Sequence, residues 1–164
     1  MGKMGKFSAS DLKKLQKQLD KIQAGEVDAF VEGCAKELAA CLLDIVIRQT
    51  PVGDYPSSSG KKGGTLRNGW TSQQSGSGSG GLGSGGVKGY VDSLKINHYG
   101  SSLVIEIVNP VEYASQVEFG HRPADHEGWV PGHFMLTISE QELQQIAPKV
   151  LETKIKKYLS ECMK

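Results

Sequence analysis

The chain has 164 residues, 38% of them apolar, with 21 glycines and a formal net charge of +1. That length fits one domain, and the near-neutral balance excludes the basic excess on which a nucleic-acid-binding surface depends. No run approaches the roughly 18 apolar residues of a membrane span.

Charge is unevenly distributed. Residues 1–24 carry six cations against two anions, residues 25–50 two against five, residues 51–90 four against one, residues 91–148 two against eight, and residues 149–164 five against two. Such blocks pair either within one subunit or across subunits, where opposite patches set register and orientation.

Taken in chain order, Ser8 and Asp11 resemble a capping box, and Leu12, Leu15, Leu19 and Ile22 follow at helical spacing. This predicts an amphipathic helix within residues 1–25 that packs on a neighbouring element or on another subunit. Met1 to Lys6 leads into this polar helix rather than into an apolar run, so no signal peptide is expected and folding in a reducing cytoplasm is. Ala24-Gly25 breaks the helix. Glu26 begins a longer one, in which Val27, Phe30, Val31, Cys34, Leu38, Cys41, Leu42, Ile45 and Val46 share a broad apolar face. Cys34 and Cys41 serve there as small hydrophobes, and with Cys162 they form an odd set without metal-type spacing.

Thr50-Pro51 ends the second helix, because a residue before proline is pushed out of the helical region. After a Gly/Ser-rich loop, Leu66 to Ser72 is read as a strand carrying Trp70, with Leu66 and Trp70 on one side and Arg67 on the other. Residues 73–88 form a Gly/Ser loop with too little apolar surface to offset its ordering entropy, expected to be a long flexible hairpin connection. Val87 to His98 and Leu103 to Asn109 are read as strands. In the second, Leu103, Ile105 and Ile107 give one wholly apolar face.

Pro110 is expected to open a short helix through Tyr113 and Val117 to Phe119, closed by Gly120, with Glu112 and Glu118 pointing away from the core. Two readings remain for Arg67, Glu118 and Arg122: ordinary surface charges, or pairs linking Arg67 to Glu118 or Glu112 and Arg122 to Glu118 or the helix end. Trp129, among polar neighbours, reads either as an interface anchor or as a buried structural residue. In the last helix, Ser139 with Glu142 is taken as a capping box, and Pro148 is expected to kink the helix or split it at Ala147. The predicted fold is α+β: two N-terminal helices, a small antiparallel sheet with the long loop, a short helix, and a C-terminal helix packed on the sheet.

Chemistry is absent from this inventory. His121, His126 and His133 lack the paired spacing of a zinc site, and no serine or cysteine stands in a nucleophile motif. Gly60-Lys61-Lys62-Gly63-Gly64-Thr65 lacks the phosphate-loop spacing. We therefore expect no enzyme activity, no cofactor and no metal. Lys61, Lys62 and Arg67 are candidates for contact with DNA or a partner.

Three strings in fixed order carry a resemblance instead. They are Thr50-Pro51-Val52-Gly53-Asp54, then Leu66-Arg67 with Trp70, then Tyr113-Ala114 running through Val117-Glu118-Phe119-Gly120 to Arg122. In this order they resemble the phage tail-completion (head-tail joining, neck) proteins, the tail-component family named after the tenth gene product of a lambdoid phage. The resemblance spans roughly Ser8 to Lys164, a single tail-completion-like domain over 1–164. His133-Phe134-Met135-Leu136 departs from it where many relatives begin a helix with an Arg-Pro-Phe type of sequence. It implies a structural virion subunit, assembled in the bacterial cytoplasm, that forms a ring, usually sixfold, at the head-proximal end of a phage or phage-tail-like particle. Implied partners are copies of itself, the tail terminator, the tail tube and the neck or connector, with DNA only as passing cargo and no membrane. The alternative is a channel-lining adaptor that contacts DNA through Lys61, Lys62 and Arg67. Arg67, Trp70, Tyr113, Glu118, Arg122 and Trp129 are the candidate interface or structural residues.

Overall fold

The computed structural model describes residues 26–72 and 86–162, together with the separate helical positions 13, 14, 16, 17 and 20. The Gly/Ser connection at 73–85, and the apolar positions of the expected N-terminal helix, lie outside the described residues.

Helix α1 runs Val27–Gln49 and stops at Thr50, whose ψ of 123° is extended as the following proline requires. The core builds on one side of it: Ala39, Leu43 and Val46 join Leu66, Trp70, Val91, Val111 and Met135 in a single buried cluster. The next element corrects the sequence reading. Residues 65–69 form a short helix, α2 (Thr65–Gly69), with Trp70 at its C-cap, where a strand was expected. Leu66 and Trp70 are still both buried, because positions four apart share a side in a helix as they do in a strand. Arg67 and Trp70, however, are three apart. A strand would turn them to opposite faces, whereas one helical turn lets both reach the same target on α1.

Helix α3 (Gly86–Ser93) replaces the first half of the expected strand Val87–His98. Val87, Tyr90, Val91 and Leu94 recur at helical spacing and all pack into the core. The Gly/Ser connection thus joins two helices rather than two strands of a hairpin. Strands β1 (Ile96–Tyr99) and β2 (Ser102–Ile105) form an antiparallel pair with Ile96 opposite Ile105 and Tyr99 opposite Ser102. Leu103, Ile105 and Ile107 are half-buried and Val104, Glu106 and Val108 exposed, as the alternation predicts.

Helix α4 (Ala114–Phe119) starts later than Pro110, with Tyr113 at the N-cap position. Strands β3 (Gly120–His121) and β4 (Val130–Pro131) then pair antiparallel, closing the His/Gly/Pro loop into a hairpin. Helix α5 (Met135–Cys162) passes through Pro148 without splitting. Its length is held along α1: Lys154 Nζ donates to Gly33 O at 2.8 Å and to Glu37 Oε2 at 3.0 Å, and Phe30 stacks on Tyr158 at 4.3 Å. The C-terminal helix therefore packs chiefly on α1. Lys154 and Glu37 also show one basic block meeting an acidic one inside a single subunit. Among the described residues the architecture is five α-helices with two small antiparallel sheets, so the α+β class holds.

Candidate functional site

The three strings occupy three joints between elements. At the first joint, Thr50 is fully buried, and its hydroxyl donates to Val46 O at 2.6 Å while accepting from Trp70 Nε1 at 2.7 Å. Its carbonyl accepts from Arg67 Nη2 at 2.8 Å and from Nε at 3.2 Å. Thr-Pro ends α1 and frees this carbonyl, and Arg-x-x-Trp supplies the donors that satisfy it. Arg67 is thus committed to the backbone at the end of α1, and its expected pairing with Glu118 or Glu112 does not form.

The second joint ties α2 to the segment after β2. Asn109 Nδ2 donates to Leu66 O at 2.8 Å, and Asn109 Oδ1 accepts from Val111 N at 3.2 Å. Gly69 makes the approach possible, since a Cβ there would lie 2.3 Å from Asn109 Oδ1.

The third joint corrects two expectations. Glu118 is buried rather than pointing away, and its carboxylate caps α5, accepting from Leu136 N at 2.8 Å, Thr137 N at 3.0 Å and Thr137 Oγ1 at 2.7 Å. The first amides of a helix lack intrahelical partners and carry partial positive charge, so a buried carboxylate fits there. Ser139 is not the cap. It sits inside α5, buried, with its hydroxyl turned back to Met135 O. With Glu118 taken by α5, the Arg122 to Glu118 pairing does not form either, and Arg122 is exposed. His133 N to Val117 O at 2.8 Å and Phe134 N to Glu118 O at 3.0 Å complete this joint. Gly120, at φ +84°, and Gly132 leave room for it: a Cβ on either would fall within 2.4 Å of a backbone oxygen.

Two surfaces result. One is a cleft of about 260 Å³ to which all three strings contribute, through Val52, Leu66, Tyr113, Val117 and His121 among others. Lys62 lines it, and Lys61 lies 6.0 Å from the Tyr55 ring centroid. The other is made of exposed apolar side chains at the end of α4, along β4 and at the start of α5. Trp129 is 60% exposed and Phe119 63%, with Val130, Phe134 and Ile138 also exposed. The buried reading of Trp129 is thereby excluded. The sequence reading missed Phe119 and Phe134 as surface residues, because apolar spacing alone does not tell a core face from an open one.

Among the described residues no three His, Cys, Asp or Glu side chains stand together to hold a metal ion. Burial pushes the Cys34 and Cys41 thiols up from their ordinary range, with Glu37 adding to the effect at both, so neither has the character of an activated nucleophile. No described helix is long and apolar enough to cross a membrane.

A family model described as "Bacteriophage HK97-gp10, putative tail-component" matches residues 13–120. Two of the three strings lie wholly within this span, and the third ends two residues beyond it. Neither the curated proteins nor the solved structures give a match.

Proposed function

We propose, on the premise that the chain belongs to the HK97-gp10-like family of phage tail components, that it is a structural virion subunit at the head-proximal end of a phage or phage-tail-like particle. Copies of it form a ring, sixfold like the tail, that completes the tail and joins tube or terminator to the neck. Its partners are further copies of itself, the terminator, the tube and the neck or connector proteins, and DNA passes through only as cargo. It works by shape and adhesion, as one domain, without a cofactor or a substrate to turn over.

The family match over residues 13–120 carries this reading. A tail component has to contact other tail proteins, and the exposed Phe119, Trp129 and Phe134 supply aromatic surface of the kind enriched at interface centres. Closing a ring by heterologous contacts calls for two complementary patches on each subunit, and the acidic excess of residues 91–148 beside the basic excess of residues 149–164 suits that requirement. The channel-lining alternative drew on three cations. Arg67 is engaged by the Thr50 carbonyl, which leaves only Lys61 and Lys62 of the three as exposed cations.

Light scattering on the purified protein, followed by cryo-microscopy of particles carrying a tagged copy, tests the proposal. The expected result is ring-sized assemblies and tag density at the collar between tail and head. Tag density at the distal tail tip or on the capsid would overturn it.

A further inference from the structure

The cleft to which all three strings contribute combines an apolar lining with basic groups. Pro51, Val52, Leu66, Val117, Val130 and Pro131 supply the apolar part. Lys62, His121 and His133 line it as well, and no Asp or Glu stands among its described lining residues. Lys62 and His133 form no ion pair among the described residues. The Nδ1 of His121 is buried without a hydrogen-bond partner. Buried N–H groups are left without an acceptor more rarely than lone pairs are left without a donor, so the proton of the neutral ring belongs on Nε2, which makes the ring a donor there.

The subunit's own hydrogen bonds fix the frame of this cleft. Arg67 and Trp70 anchor Thr50, next to the lining residue Pro51. The bond from His133 N to Val117 O at 2.8 Å ties two more lining residues together. Lys62 is kept close to Val52 and Gly53 because its neighbour Gly63 packs on them: a Cβ on Gly63 would lie 2.0 Å from Gly53 O. A site formed in advance spares a ligand much of the ordering cost of binding.

We propose that the cleft receives an acidic segment of a partner protein, a glutamate or aspartate side chain with an apolar neighbour. Size favours the side chains of a peptide over a whole cofactor, since about 260 Å³ lies under the roughly 300–1,000 Å³ usual for small-molecule pockets. Charge selects an acidic segment, because Lys62 and two imidazoles line the cleft with no carboxylate to offset them. Complementarity of this kind sets which partner docks and in what register. The apolar lining and the single lysine favour protein over nucleic acid, whose binders make roughly 6–10 phosphate contacts. The chemistry of the cleft does not depend on where in a particle the subunit sits.

Fluorescence anisotropy on the full chain tests this with labelled probes: a short peptide alternating glutamate with leucine, its twin with lysine for glutamate, and a single-stranded oligonucleotide. The acidic peptide is expected to bind, and the other two at least about tenfold more weakly. Lys62→Glu, at an exposed position, is expected to weaken the acidic peptide at least about tenfold, while Lys149→Glu, the same charge change on the exposed side of α5, leaves it within about twofold. No binding of the acidic peptide, equal losses in the two variants, or a lysine twin bound as well would overturn the proposal. An oligonucleotide bound as well as the acidic peptide would overturn it in favour of nucleic acid. Sedimentation of Lys62→Glu is expected to match the parent. A shift toward smaller species would put a second copy's carboxylate in the cleft and overturn the foreign partner.

Discussion

The indole Nε1 of Trp70 donates to the hydroxyl of Thr50 across 2.7 Å, with both residues buried. This bond joins the end of α1 to the end of α2, and it explains why a Thr-Pro and an Arg-x-x-Trp string occur together in one chain. Thr50→Val keeps the shape but leaves a buried N–H without an acceptor, at an expected cost of about 1–3 kcal/mol. Thr50→Ser keeps the hydroxyl and recovers most of that loss, as does Thr50→Val combined with Trp70→Phe. Urea unfolding of these three variants, of Trp70→Phe alone and of the parent measures the coupling.

Glu118 holds the start of α5 by its own side-chain hydrogen bonds. Glu118→Ala strips the partner from two helix amides and one hydroxyl, and is expected to lower stability by about 1–3 kcal/mol. Glu118→Gln retains an acceptor but not the charge that complements the helix terminus, so an intermediate loss is expected. Thermal unfolding followed by circular dichroism orders the three.

Gly69→Ala is expected to cost about 1–3 kcal/mol, because the added methyl meets Asn109 Oδ1 at 2.3 Å and Val111 Cγ2 at 2.8 Å in a packed joint. Pairing it with Asn109→Ala removes one obstacle and is expected to recover part of the loss. Equal destabilisation in the single and double variants would show that the contact is not the cause.

Trp129→Ala and Phe119→Ala are expected to leave unfolding within about 0.5 kcal/mol of the parent, since both rings are more than half exposed. Their effect falls on assembly: the sedimentation profile of the purified protein shifts toward the monomer. A large stability loss with unchanged assembly would place these rings in the core instead.

Burial raises the pKa of Cys34 and Cys41, so at a given pH less of each is thiolate than in an exposed cysteine. Both are expected to react slowly with a thiol reagent at pH 8 in the folded protein and at an ordinary rate in urea. Peptide mapping of the labelled sites checks this residue by residue.

How much of this was legible in the sequence depended on whether a signal was local. The long helix after Glu26, its end at Thr50 and the alternation of Leu103, Ile105 and Ile107 were read correctly, because periodicity and the proline rule act within a few residues. The helix at Gly86–Ser93 was also present in the spacing, but its β-branched and aromatic residues favoured a strand reading. Residues 65–69 could not be read this way, since positions four apart share a side in either conformation. Only the demand that Arg67 and Trp70 both reach Thr50 decides for a helix. The cap of α5 was missed because Glu118 lies 18 residues before the amide it serves, beyond any local pattern, while Ser139 and Glu142 offered a nearer match. The motif residues Arg67, Trp70 and Glu118 were singled out as interface or structural candidates, but without the partners they bind. They turned out to hold the joints of the subunit together.

The central claim is that this subunit joins tail to head, and imaging of particles produced without it tests that most directly. Electron microscopy of lysates from a deletion strain is expected to show filled heads and separate tails, restored to joined particles by the natural chain supplied in trans. Intact, infective particles in its absence would contradict the account.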